Sequence, residues 1–286
     1  MLGLKRGEVA LFEHQKEWEI EAQNVMKRLK GILGDVIVDI QHVGSTSIPS
    51  VKAKPIIDIA VAVNDFDSLL SMVQELKING FYHIPTNENS QLLFACGSYY
   101  DGTGEMQTHF IHIVLHNSME WINYINFRDY LNNNFEVAKE YEALKISLSN
   151  SVNTREEYTE GKRDFIDFTL RKALVKSYLG KTVHIKIDRP IGYVHKKKEY
   201  SLTYPINYGY IPNVFGGDGE ELDVYLLGVN EPVLEADVKI IGVVHRENDV
   251  EDKLIAAPVG TDFSKTEIEN AINFQEQYYK TYLETE

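Results

Sequence analysis

Residues 42–63 read HVGSTSIPSVKAKPIIDIAVAV, and this stretch decides the fold of the first half of the chain. An alternating, β-branched segment over 36–42 leads into the Gly44-Ser45 turn, and a mostly apolar segment over 54–63 follows it. Long apolar runs of this kind are typical of strands buried on both faces of a sheet. Hydrophobic periodicity in the rest of this half predicts helices over 13–33, 66–77 and 119–176, and strands over 91–97 and 106–115. The sequence therefore predicts an α/β domain over residues 1–176 that ends in helices.

The pattern changes after Gly180, where short β runs alternate with glycine and proline. These runs cover 182–187, 206–211, 222–227, 238–245 and 254–257. Several short strands with turn signals between them favour a small barrel. A helical pattern over 263–283 follows, with Ser264 or Thr266 as its N-cap. We therefore expect a second domain over 177–286, a small OB-like β-barrel with a closing helix.

Composition limits the classes of protein and partner. The length of 286 residues fits two domains, and 43% hydrophobic with 25% charged residues is ordinary for a globular protein. No apolar run reaches the ~20 residues that cross a bilayer, and the lone Cys96 fits a reducing compartment, so we expect a cytoplasmic protein without a membrane partner. A net charge of −14 argues against duplex nucleic acid as a partner, but it is compatible with phosphate substrates delivered with a divalent metal.

A first candidate site surrounds the Gly44-Ser45 turn. Such a turn exposes backbone N–H groups and a hydroxyl to phosphate, and Lys54 can neutralise phosphate charge. Asp58 lies inside the apolar run, where a carboxylate is costly unless it is paired or binds a metal. On a strand, the His109-x-x-His112 spacing places the two rings on opposite faces, so only one of them can face Asp58. We predict His112 there, as a metal ligand or a base.

The first half resembles the GrpB family, which has a nucleotidyltransferase-type fold, over residues 8–174. The matching motifs are HVGSTSIPSVKAKPIIDI (42–59), HFIHIV (109–114), NFRDYL (126–131), YEALK (141–145) and YTEGKRDFI (158–166). The resemblance implies a domain that binds a nucleotide and that transfers a nucleotidyl group if its acids are complete. That fold usually carries a second carboxylate where this chain has Ala60, and often a third acid where it has histidine. Either histidines replace the acids or the domain binds a nucleotide without transferring it.

A second candidate site comes from acids around a glycine turn. Asp218, Glu220 and Asp223 follow one another closely, and a further acidic cluster occupies residues 247–253. Carboxylates from separate turns are the oxygen ligands that hard divalent cations prefer. The sequence therefore predicts a Mg²⁺ site in the second domain.

This half resembles the soluble, family I inorganic pyrophosphatases through YPINYGYIP (204–212), DGEELDV (218–224), residues 249–253 and FQEQYY (274–279). The resemblance implies diphosphate hydrolysis with Mg²⁺ and a homo-oligomer. The metal-binding acids that it implies are Asp218, Asp223, Asp249 and Asp252. The implied phosphate contacts are Tyr208, Tyr278, Lys253 and, in one of two alignments, Arg189. In this scheme Asp218 or Asp223 takes a proton from the attacking water, and Lys253 stabilises the leaving phosphate.

One departure from the pyrophosphatase pattern bears on which substrates the second site accepts. Too few residues separate Thr182 from Tyr204 for the family's additional hairpin. His195 and the lysines at 196–198 would then replace the cations that this hairpin supplies. A shortened site accommodates a substrate larger than pyrophosphate. Three functions therefore stay open: a two-domain enzyme of phosphoryl chemistry, a nucleotide-binding regulatory protein with a degenerate transferase domain, and a hydrolase of another diphosphate.

Overall fold

The structure is a computed structural model, and it describes residues 1–86, 90–152, 154–196, 201–216, 219–247, 249 and 251–286. The chain divides into two compact units, an N-terminal unit (Met1–Thr169) and a C-terminal unit (Leu170–Glu286). In these described ranges, no helix combines the length and apolar character needed to cross a membrane.

The N-terminal unit has an α/β fold, as predicted. Its strands are β1 (Leu4–Lys5), β2 (Ile37–Val43), β3 (Ile57–Val63), β4 (Tyr82–Ile84), β5 (Gln91–Cys96), β6 (Met106–Gln107) and β7 (His109–Leu115). Its helices are α1 (Lys16–Leu33), α2 (Phe66–Leu70), α3 (Val73–Ile78), α4 (Ser98–Asp101), α5 (Met119–Asn133), α6 (Phe135–Ser151) and α7 (Arg155–Glu160). Helix α8 (Arg163–Tyr178) follows.

A five-stranded sheet in the order β2-β3-β7-β5-β4 forms the centre of this unit. Strands β3 and β7 run parallel, and their register places Ala60 beside His112. The apolar residues of β3 are fully buried, which fits the continuous apolar run in the sequence. Helix α1 covers one face with Trp18, Val25 and Leu29 in the same core cluster.

The C-terminal unit contains the predicted barrel. Its strands are β8 (Thr182–Arg189), β9 (Val194–Lys196), β10 (Ser201–Thr203), β11 (Asn207–Phe215), β12 (Glu221–Leu226), β13 (Glu235–Arg246), β14 (Lys253–Ala257) and β15 (Thr281–Thr285). Five of these strands form a sheet in the order β14-β12-β11-β8-β13, and the pairing of β13 with β14 closes this sheet into a barrel.

The closing helix is shorter than the sequence pattern indicates. Helix α9 covers Lys265–Glu276, and Ser264 caps it in a capping box with Glu267. The prediction of helix up to residue 283 was wrong, because Thr281–Thr285 forms β15 on the edge of β13. Leu283 is the buried residue of these five, and all five pair with β13, so the open edge of β13 decides their structure against the helical pattern that precedes them.

Candidate functional site

The C-terminal cavity lies at one end of the barrel, where adjacent strands carry ionisable side chains. The parallel register of β12 and β14 pairs Val224 with Leu254, so the preceding residues, Asp223 and Lys253, also lie side by side. Strand β11 pairs with β8 so that Tyr208 is opposite Arg189. Barrel closure therefore assembles four residues that are far apart in the sequence.

Lys253 is the centre of this assembly. Its Nζ lies 2.5 Å from the Tyr208 hydroxyl, 2.5 Å from Asp223 Oδ2 and 2.7 Å from Glu251 Oε1. Tyr208 also donates a hydrogen bond to Asp223. The Lys253 side chain is only 2% exposed, so these contacts fix the ammonium group at the base of the cavity.

The two carboxyl groups beside Lys253, those of Glu251 and Asp223, have pKa values shifted in opposite directions. Burial, followed by a hydrogen bond shared with Asp223, raises the pKa of Glu251 to about 7. Burial also works to raise the pKa of Asp223, but that hydrogen bond and the Lys253 charge hold it below its ordinary value. Two carboxyls that share one proton form a place where a cation can replace the proton.

The cavity has a volume of about 580 Å³ and combines these groups with further cations and aromatic rings. Its lining includes Arg189, His195, Tyr204, Asp223, Arg246, Glu251, Lys253, Tyr278 and Tyr279. Arg189 donates a hydrogen bond of 2.9 Å from Nη1 to the Tyr204 hydroxyl. Tyr278 is 71% exposed, which places it at the rim. This arrangement can hold an anion of several charges against Lys253 and Arg189.

The structure brings five predicted residues together in or beside this cavity, namely Tyr208, Asp223, Lys253, Arg189 and Tyr278. Asp218 lies outside the described residues. Asp249 contacts Arg246, with 3.1 Å between Oδ2 and Nη1.

Asp252 does not reach the cavity. Its carboxylate accepts hydrogen bonds from Lys172 Nζ at 3.0 Å and from the Arg246 backbone N–H at 3.0 Å, and it lies 2.9 Å from His245 Nδ1. Neighbouring residues in an extended segment point to opposite sides, and Asp252 immediately precedes Lys253. Asp252, predicted as a metal-binding acid, therefore has its carboxylate beside Lys172 and His245 rather than beside Asp223 and Glu251.

Glu251 is the residue that sequence reasoning missed. The same alternation that turns Asp252 away places Glu251 and Lys253 on one side, so their spacing of two was the available signal. Arg246 was also missed. Its guanidinium contacts Glu276, Asp249 and Glu251, with a distance of 2.6 Å to Glu276 Oε1.

No group of three or more histidine, cysteine, aspartate or glutamate side chains in the described part of the chain has the arrangement of a metal site. Of the predicted acids, Asp223 lies beside Glu251, and Asp249 is held by Arg246. The Asp223–Glu251 pair has the chemistry that Mg²⁺ requires, namely adjacent hard oxygen donors with excess negative charge.

The N-terminal cavity lies between the Gly44 turn, helices α6 and α7, and the residue before α8. It has a volume of about 160 Å³ and is lined by Ser45, Thr46, Lys54, Ile56, Asp58, Phe110, Lys145, Arg155, Tyr158, Thr159 and Lys162. Gly44 has a φ of 69°, and a Cβ atom there would lie 2.4 Å from Asp58 Oδ2. A glycine is therefore required for the turn to approach this carboxylate.

The structure places His112 beside Asp58, with 3.3 Å between Nε2 and Oδ1, and Tyr124 lies 3.0 Å from the other ring nitrogen. His109 instead has its Nε2 3.4 Å from Glu21 Oε1, so the two rings have different neighbours. Among the predicted residues Gly44, Ser45, Lys54 and Asp58 thus meet around one cavity, and His112 supports Asp58 from the adjacent strand.

Comparison with known proteins gives two matches along the chain. The family model described as GrpB protein matches residues 8–172, and the one described as inorganic pyrophosphatase matches residues 177–285. Glutamate-rich protein GrpB of Alkalihalophilus pseudofirmus is 37% identical over 175 residues, which cover 60% of this chain and 99% of that protein. The crystal structure of conserved protein GrpB from Enterococcus faecalis is 27% identical, has a TM-score of 0.54, and covers 59% of this chain and 99% of its own.

The second match is shorter. An inorganic pyrophosphatase of Xylella fastidiosa is 32% identical over 89 residues, which cover 29% of this chain and 49% of that protein. The chain therefore spans about half the length of this pyrophosphatase.

Proposed function

Because the chain belongs to the GrpB family and carries an inorganic pyrophosphatase domain after its GrpB domain, we propose that the C-terminal unit hydrolyses inorganic pyrophosphate with Mg²⁺. The observation that carries this proposal is the position of Lys253, which is buried between Asp223, Glu251 and Tyr208 at the base of the C-terminal cavity. A fixed ammonium group next to acidic oxygen donors suits a substrate that is both highly anionic and metal-bound.

Asp223 and Glu251 would hold Mg²⁺. When bound, the ion neutralises phosphate charge and lowers the pKa of a coordinated water. The chain's own residues then have distinct roles. Lys253 stabilises charge on the leaving phosphate, while Arg189, held by Tyr204, orients the other end of the substrate. Asp223 accepts the proton that the attacking water loses, and Tyr208 holds the Asp223 carboxylate in place by a hydrogen bond.

A second candidate function belongs to the N-terminal unit, which we propose binds a nucleotide at the Gly44-Ser45 turn. The close approach of this turn to Asp58, inside a cavity lined by cations, favours that function. Nucleotidyl transfer is the weaker part of this proposal. Asp58 is the one carboxylate among the residues that line the cavity, and Ala60 occupies the position of a second acid.

Phosphate release from pyrophosphate, ADP and ATP tests the main proposal, with and without Mg²⁺ and with EDTA as a blank. We expect Mg²⁺-dependent release from pyrophosphate, and a fall of about a hundredfold or more in Lys253→Met. Lys265→Met is the matched control, because Lys265 is exposed at the start of α9. Release only from a nucleotide would favour the alternative diphosphate hydrolase. Binding without turnover of any of these compounds would favour the regulatory alternative.

A further inference from the structure

The N-terminal cavity concentrates positive charge in a chain with a net charge of −14. Lys54, Lys145, Arg155 and Lys162 line it, whereas Asp58 is the one acidic side chain in the lining. They come from four separate parts of the chain: the segment before β3, helix α6, the start of α7 and the residue before α8. Tertiary packing, rather than a local basic run, produces this cluster.

Lys54 and Lys162 make no close ion pair with a described carboxylate. Both contact the ring of Tyr158, at 4.0 and 4.8 Å from its centroid. Arg155 donates a hydrogen bond to the neutral Gln107 side chain at 3.1 Å. Like charges in a half-buried cluster repel one another, and Asp58 is the one carboxylate of the lining that offsets the four cationic side chains, so the cavity has an excess of positive charge.

Lys145 lies deeper in the cavity and is 1% exposed. Its Nζ donates to the Lys52 carbonyl at 2.5 Å, and Lys162 and Glu142 are the charged groups that act on it. Burial lowers the pKa of Lys145 to about 7, and burial together with Lys162 and Arg155 lowers the pKa of Lys54 to about 8. Folding therefore places lysines where their charge is unfavourable, and such a cost is expected at functional sites.

We propose that this cavity binds the phosphate end of a small phosphorylated ligand, with Lys54, Arg155 and Lys162 as its charged contacts and Lys145 at its base. The cavity of about 160 Å³ is smaller than the ~300–1,000 Å³ pockets that enclose whole drug-sized ligands, so the remainder of the ligand projects outwards. The hydroxyls of Ser45 and Thr159 line the same cavity and supply neutral hydrogen-bond donors. This inference deepens the nucleotide-binding candidate, and it does not depend on hydrolysis at Lys253.

Hydrogen exchange of the full-length protein in EDTA tests the proposal, with inorganic phosphate, pyrophosphate, ATP and adenosine as separate probes. EDTA prevents turnover, and the exchange of residues 154–166 reports on this cavity, whereas that of residues 251–257 reports on the C-terminal cavity. We expect pyrophosphate and ATP to protect residues 154–166, and adenosine to leave them unchanged. Protection by ATP alone, without pyrophosphate or phosphate, would overturn the assignment of the cavity to a phosphate end.

Lys162→Met and its neighbour Arg163→Met form a matched pair. Both remove one positive charge near the start of α8, but Arg163 is exposed and pairs with Glu160 outside the cavity. We expect Lys162→Met to lower the affinity for pyrophosphate, measured by the protection of residues 154–166, by about tenfold or more. Arg163→Met should bind pyrophosphate as the wild type does. Lys54→Met gives a second variant, and circular dichroism checks the folding of each.

Equal effects of Lys162→Met and Arg163→Met, or no protection by any probe in the wild type, would overturn the proposal. Protection of residues 251–257 in the same experiment is read separately. A failure at one cavity is therefore distinguishable from a failure at the other.

Discussion

Asp252→Asn is expected to destabilise the C-terminal unit while leaving pyrophosphate turnover unchanged. The Asp252 side chain is 7% exposed and contacts Lys172, His245 and the backbone N–H of Arg246. Asp252 itself is not among the residues that line the C-terminal cavity. Removal of its charge abolishes the ion pair with the buried Lys172 ammonium. Breaking a buried ion pair from one side costs about 3 kcal/mol, which corresponds to roughly 10 °C in Tm for a unit of this size.

The pH dependence of this loss is a further check. Burial works to raise the pKa of Asp252, but hydrogen bonds and charges of His245 and Lys172 hold it below its ordinary value. A lowered carboxyl pKa contributes stability that is present above the unfolded pKa of about 3.9 and is lost as the pH falls through the folded pKa. The gap in stability between the wild type and Asp252→Asn should therefore be full at neutral pH and close in acid.

Urea unfolding followed by circular dichroism measures the stability, and phosphate release measures kcat/KM. Asp237→Asn is the matched control, because Asp237 is 80% exposed and pairs with His184 on the surface, where ion pairs contribute little. If Asp252→Asn lost activity at full stability, Asp252 would belong to the active site and the assignment made from the alternation along the chain would be refuted.

Two further perturbations test the N-terminal unit. Gly44→Ala should abolish protection of residues 154–166 by pyrophosphate and lower the Tm, because its Cβ would lie 2.4 Å from Asp58 Oδ2. Gly34→Ala is the control, because Gly34 is also at positive φ but in open space. This variant has only the backbone cost of ~1–2 kcal/mol and should bind pyrophosphate normally. Since burial lowers the pKa of Lys145 to about 7, affinity for sulfate, whose charge is constant, should fall as the pH rises from about 6 to 8, and calorimetry should show a flatter profile for Lys145→Met. Normal binding by Gly44→Ala, or the same slope in both proteins, would contradict these expectations.

The fold was largely predictable because local patterns and packing agree. The apolar run that contains Asp58 is a central strand, and the short runs after Gly180 close a barrel as predicted. The prediction failed at β15, where five residues pair with the free edge of β13. Such an edge is a tertiary feature, and a helical pattern that continues from α9 contains no information about it.

The candidate sites were predictable only in part, for a related physical reason. Alternation fixes the side to which each strand residue points, and this was enough to predict His112 rather than His109 beside Asp58. The same rule, applied to residues 251–253, indicates Glu251 beside Lys253, which the resemblance did not single out. Lys145, Arg155 and Lys162 were beyond reach. Lys145 and Arg155 lie on helices and Lys162 lies just before one, so their approach to Lys54 depends on how those helices pack against the sheet.

The most direct measurement of the central claim is phosphate release from pyrophosphate by the purified protein at saturating Mg²⁺, with Asp223→Asn assayed beside it. Asp223 contacts Lys253 and Tyr208 at the C-terminal cavity, so its neutralisation removes both the proposed metal ligand and a partner of the ammonium group. We expect the wild type to release two phosphates per pyrophosphate, and the kcat/KM of the variant to be lower by about a hundredfold or more. No release by the wild type, or equal rates for the two proteins, would contradict it.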